Sequence, residues 1–149
     1  MKSCEVLNLM NISRQTLSKY VKTGKLKVRT LPNGDYDYDM ESACEILNGG
    51  RRRTVVVYMG ECGSDALRKE REAAVECFMK DNLGENVTVV SDDDEYDMAD
   101  ILMDVQRFAV KSLVIMDDDY ETIGRVECLG PMFAAARCEV KLLQAVKRD

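Results

Sequence analysis

Apolar and polar positions follow two regimes along this chain, and the change falls near residue 50. Before it, apolar residues cluster at short helical spacings. Val6, Leu7, Leu9 and Met10 predict a first short helix opened by Ser3, Asn11-Ile12 makes a turn, and Ser13 caps a second helix. In that second helix Leu17, Tyr20 and Val21 face inward and Gly24 is the stop signal. Two alternating runs follow, Lys25 to Leu31 and Tyr36 to Asp39, joined by the turn signal Pro32-Asn33-Gly34-Asp35. A third helix from Met40 to Leu47 closes the segment, and Asn48-Gly49-Gly50 has the composition of a linker.

From residue 54 the pattern becomes strand and helix in regular alternation. Val55 to Tyr58 is a buried run that ends near Gly60, and a helix is expected from Ser64 to Leu83 with Leu67, Ala74, Val75, Phe78 and Met79 on one stripe. Strands are expected at Asn86 to Val90, Leu113 to Met116 and Glu139 to Leu143, with helices from Asp97 to Val110 and from Ile123 to Arg137. This order predicts an α/β domain over residues 54–149, built on a mostly parallel four-stranded sheet covered on both faces. The corner Gly60-Glu61-Cys62-Gly63-Ser64 ends the first strand and feeds a helix, which is where α/β folds place ligands. Two acidic triplets, Asp92 to Asp94 and Asp117 to Asp119, follow later strands and belong on the same sheet edge.

Charge divides the chain at the same place. Residues 1–53 hold ten Lys and Arg against six Asp and Glu, a net +4, while the remainder holds eleven against twenty-one, a net −10. A basic head on an acidic body points to a polyanion met by the head, and double-stranded DNA is the expected partner. Arg14, Gln15, Thr16 and Lys19 are expected on the outer face of the second helix, as residue types that reach base edges and phosphates. Lys25, Lys27 and Arg29 on the hairpin and Arg51, Arg52 and Arg53 in the linker would add phosphate contacts. The plainer alternative is a small packing domain with a solvated basic face. Six cysteines form no Cys-x-x-Cys pair and no histidine is present, so neither a zinc site nor a resident cofactor is expected. No leader pattern opens the chain and no apolar run nears membrane-spanning length, which places the protein inside a cell: cytoplasm or nucleoid, or a host cell if it is viral.

Val6, Leu9, Ile12, Ser13, Arg14, Thr16, Leu17, Tyr20 and the Gly24-Lys25-Leu26 run resemble the winged helix-turn-helix of the MerR type, over residues 1–50. Such a head, then a basic linker and the strand Val55 to Tyr58, resembles the serine recombinases (resolvase/invertase family) in the arrangement of small transposases. The resemblance implies a resolvase-like domain at 54–149, DNA recombination ancestry and a homodimer or higher homo-oligomer. In that register Cys62 stands in the nucleophile slot and Ser64 is a shifted candidate whose simpler role is a helix cap. Asp118 and Gly124 match the family's run after the third strand, but Gly60, Asp119 and Thr122 occupy slots of its arginines. Those guanidiniums would stabilise charge on the scissile phosphate. Their replacement implies that strand exchange is lost and that the domain serves self-association, unless an arginine such as Arg125 swings toward Cys62 and keeps an active recombinase. Glu61, Asp65, Asp117 and Asp119 also resemble the Toprim carboxylates that hold Mg²⁺ for phosphoryl transfer. Against both stands the ordinary fate of aspartate runs, a solvated acidic loop.

Overall fold

A computed structural model describes residues 1–144, and the chain separates into two compact units, Met1–Arg52 and a second beginning at Arg53. In the first, α1 (Ser3–Met10) ends at Asn11, whose left-handed backbone (φ 52°) turns the chain into α2 (Arg14–Lys22). Asparagine tolerates that conformation because its short polar side chain bonds locally. Ser13 caps α2 by accepting the Thr16 amide at 3.2 Å, as the spacing predicts. At α1 the cap differs from expectation: Ser3 lies inside the helix and Glu5 accepts the Lys2 amide at 3.0 Å. A short antiparallel hairpin follows, β1 (Val28–Thr30) against β2 (Tyr36–Tyr38), and α3 (Met40–Leu47) is capped by Asp39. Val6, Met10, Leu17, Leu26, Tyr38 and Ala43 form the buried centre of this unit.

The second unit is α/β. β3 (Thr54–Tyr58), β4 (Val87–Val90), β5 (Val110–Met116) and β6 (Glu139–Leu143) form one parallel sheet in the order β4-β3-β5-β6. β3 and β5 are near-continuous apolar runs because both their faces are covered. On one face Val56, Leu113 and Ile115 pack with residues of α5 (Met98–Gln106), α6 (Tyr120–Cys128) and α7 (Gly130–Ala135). On the other, Val55, Val57, Val114 and Met116 pack with Val75 and Phe78 of α4 (Asp65–Asp81). The helix expected from Ile123 to Arg137 is two helices. It starts earlier, where Asp119 caps α6, and it breaks at Leu129 because Pro131 in the first turn of α7 can neither donate an amide nor fit against the preceding turn.

Arg53 requires a correction. It is not a linker contact for phosphate but one of the most buried side chains of the second unit, 1% exposed. Its Nε donates to the Phe108 carbonyl at 3.0 Å, and its Nη2 reaches the carbonyls of Val110 (2.6 Å), Ala136 (3.2 Å) and Arg137 (3.0 Å). The Phe108, Ala136 and Arg137 carbonyls lie just past the C-termini of α5 and α7, where the last carbonyls of a helix lack amide partners and the helix dipole is negative, and the Val110 carbonyl opens β5. Phe108 and Arg137 both have left-handed backbones (φ 61° and 54°), so both helices turn away sharply at the guanidinium. The basic surface of the head is therefore that of Met1–Arg52, nine basic residues against six acidic ones.

Candidate functional site

The connection leaving β3 runs through α4 to β4 on one side, while β5 lies on the other. Chains leaving the C-terminal ends of β3 and β5 therefore part in opposite directions, which marks the usual ligand position in this architecture. The corner 59–64 and the triplet Asp117 to Asp119 follow those two strand ends.

The residue that organises this corner is Arg71, which the motif reading missed. From the second turn of α4, 4% exposed, its Nη1 donates to the carbonyls of Met59 (2.6 Å) and Glu61 (3.0 Å), and its Nη2 donates to Asp118 Oδ1 at 3.2 Å. Nη1 also lies 4.0 Å from the sulfur of Cys62, which is half-buried. The guanidinium beside Cys62 thus comes from α4. Arg125, the arginine considered as one that could swing toward Cys62, is exposed and pairs with Glu121 at 2.7 Å. A signal for Arg71 existed: it interrupts the α4 stripe at a position between Leu67 and Ala74-Val75, where an unpaired charge could not be buried.

Gly60 makes the close approach possible. It has φ +72°, and a Cβ built there would lie 2.5 Å from Asp119 Oδ2 and 3.3 Å from Arg71 Nη1. The arginine that the recombinase register wants at this position has no room. Asp119 is turned back into the fold: Oδ1 accepts the Thr122 amide at 3.3 Å as the cap of α6, and Oδ2 is buried with no hydrogen-bond partner. Gly60→Ala is expected to cost the second unit about 2 kcal/mol through a strained left-handed alanine and the clash with Asp119. Adding Asp119→Ser, which keeps a capping oxygen and deletes Oδ2, is expected to recover roughly half of that loss. Urea titrations of the single and double variants check this, and losses that simply add would show that the contact is not the cause.

The remaining candidates are dispersed. Ser64 is exposed and its Oγ accepts the Leu67 amide at 3.2 Å, so it is the cap of α4. Glu61 is exposed, Asp117 is half-buried, and among the described residues no three His, Cys, Asp or Glu side chains form a group placed to hold a metal ion. The triplets are not merely solvated. Arg68 holds Asp92 (3.5 Å) and Asp93 (3.0 Å), and Asp94 accepts the Ser91 amide at 2.8 Å. Tyr58, at the end of β3, feels this acidic edge: burial raises its hydroxyl pKa above the ordinary phenol value, Asp119, Glu61 and Asp92 push the same way, and Arg125 opposes them. It remains a hydrogen-bond donor. Cys138, by contrast with half-buried Cys62, is a core thiol pushed up to about 11 by burial.

No family model, curated protein or solved structure matches the chain. The site is therefore characterised by its own geometry, and so is the head. On α2, Arg14, Gln15, Ser18, Lys19 and Lys22 are all exposed, which places them on one helical face. Thr16 departs from expectation. It is half-buried, and its hydroxyl lies 3.0 Å from Ser13 Oγ, so it belongs to the helix cap. Lys25 sits 5.9 Å above the Tyr20 ring, Lys27 is exposed, and Arg29 is partly neutralised by Asp37 at 3.3 Å. Arg51 and Arg52 are exposed. No helix among the described residues is long and apolar enough to cross a membrane.

Proposed function

We propose that this chain is a sequence-specific DNA-binding protein: a MerR-like winged helix-turn-helix head at residues 1–50, and a resolvase-like α/β domain that serves self-association after loss of strand-exchange chemistry. The observation that carries the reading is the outer face of α2, where Arg14, Gln15 and Lys19 stand exposed on a helix whose opposite side is core. Arginine and glutamine are the side chains that pair bidentately with base edges, and lysines along the same face, with Lys25 and Lys27 ahead of β1 and Arg29 on it, supply phosphate contacts. Two heads on paired half-sites would supply the affinity that one small head lacks.

The test is selection of a duplex from a random pool, followed by binding titrations across salt concentrations. Affinity is expected to fall steeply with salt, with a log–log slope of about −0.9 per phosphate contact. Arg14→Ala together with Lys19→Ala should weaken the selected site by at least about tenfold, with a smaller effect on random DNA. A selection that converges on no sequence, or a salt-independent signal, would sink the reading.

One observation favours a second reading, an active recombinase: the Arg71 guanidinium lies beside Cys62. Here the Cys62 sulfur would form a bond to phosphorus as a backbone P–O bond breaks and the departing oxygen takes a proton. We favour the non-catalytic reading because Arg71 is engaged by two carbonyls and Asp118, and because Glu61, Asp118 and Asp119 would repel the phosphate. Denaturing gels decide between the two, since a covalent protein–DNA adduct that vanishes in Cys62→Ala would establish the second.

A further inference from the structure

We propose that β6 is the surface through which two copies of this chain pair, edge to edge and antiparallel about a two-fold axis centred on Val140. This rests on the self-association half of the proposed function and not on DNA contact. β6 is an edge strand of the sheet, and four of its five residues are exposed, among them Val140 (38%) and Leu142 (58%). An edge carrying exposed aliphatic residues is a template for another strand, which folds ordinarily block with bulges, proline, charged side chains or a cover, and the two charges of β6, Glu139 and Lys141, are of opposite sign.

Register follows from the backbone. The Leu143 carbonyl accepts the Asp117 amide at 3.0 Å, so Leu143 faces β5, and alternation sends Glu139 and Lys141 the same way. The amides and carbonyls of Val140 and Leu142 therefore point outward, as the row a partner strand would meet. A two-fold antiparallel pair must match outward residues with each other. Centred on Val140, it sets Val140 opposite its equivalent, joining apolar faces, and Leu142 opposite Cys138 of the second copy, where the Cys138 amide is already given to the Phe133 carbonyl at 3.0 Å and the Leu142 amide is the donor of the pair. The same register sets Glu139 opposite Lys141 of the second copy, twice. Registers centred on Glu139 or Lys141 set like charges directly opposite each other, which is destabilising, and one centred on Leu142 sets Lys141 opposite Leu143 and leaves both charges unmatched. The sheet's other edge is less suited, because β4 lies between Glu85 and the run Asp92 to Glu95.

The experiment is sedimentation equilibrium of the full chain without DNA, with hydrogen exchange at the Val140 and Leu142 amides. The wild type is expected to dimerise as concentration rises, with both amides becoming protected in step. Lys141→Glu, at an exposed site, should raise the dissociation constant by about tenfold by setting carboxylates opposite each other twice. Glu139→Lys combined with Lys141→Glu exchanges the charges and should restore the wild-type constant. Leu142→Lys should abolish the dimer, and circular dichroism verifies that each variant is folded. A monomeric wild type, a dimer indifferent to Lys141→Glu, or a charge exchange that fails to restore pairing would overturn the proposal. DNA binding by a wild type that remains monomeric would leave the head's function standing and remove this interface alone.

Discussion

Arg53→Ala is expected to lower the unfolding free energy of the α/β unit by about 3–5 kcal/mol, the largest loss anticipated from any single side chain discussed. The guanidinium binds the carbonyls of Phe108, Val110, Ala136 and Arg137, and alanine supplies no donor in its place at a site sealed from water. Each buried acceptor left unmade costs about 1–3 kcal/mol, and a cavity adds to that where the surroundings cannot collapse. Arg53→Met separates the two contributions, because it fills much of the volume and restores none of the bonds. Arg53→Lys should fall between, since an ammonium keeps the charge but lacks the planar fork that spans two helix ends. Urea denaturation followed by circular dichroism measures the series. A loss under about 1 kcal/mol for Arg53→Met would show that packing, not the carbonyl bonds, is what Arg53 provides.

Arg71→Ala is expected to cost about 2–4 kcal/mol and to loosen the corner 59–64. Its Nη1 ties the Met59 and Glu61 carbonyls to α4 and its Nη2 ties Asp118 to the same point, so one side chain joins the ends of β3 and β5. Released from that clamp, the Cys62 thiol should become more accessible. Alkylation followed peptide by peptide reads this directly, with the exposed Cys4, Cys77 and Cys128 as internal references. Faster modification at Cys62 alone is the expected result. If its rate and the stability both stay at wild-type values, Arg71 does not hold the corner.

Much of the architecture was legible from local pattern. The alternation of apolar runs with helical stripes predicts the four strands, and the caps at Ser13, Ser64 and Asp97 lie where a polar residue precedes a stripe. Some differences between pattern and structure are local too. Pro131 breaks the last helical stripe, and Asp119, whose charge suggests a ligand, starts α6 with its side chain. The candidate site was legible only as a place. Its corner and its acidic triplets were found, but the partners that neutralise the triplets, Arg68 and Arg71, lie in α4 and carry no motif.

What the sequence by itself determined is most of the elements, the parallel α/β character of the second unit and the basic bias of the head. Each of these depends on side-chain periodicity or on composition, which survive without knowing what touches what. Only the tertiary structure decided the strand order, the point where the chain reverses direction across the sheet, and the fate of individual charges. Arg53 and Arg71 show why. An arginine is expected in solvent unless acceptors are gathered around it, and the acceptors here are backbone carbonyls, which every residue possesses and no sequence pattern marks. Arg53 reaches carbonyls 55 to 84 positions away, brought together only when the sheet and its helices close.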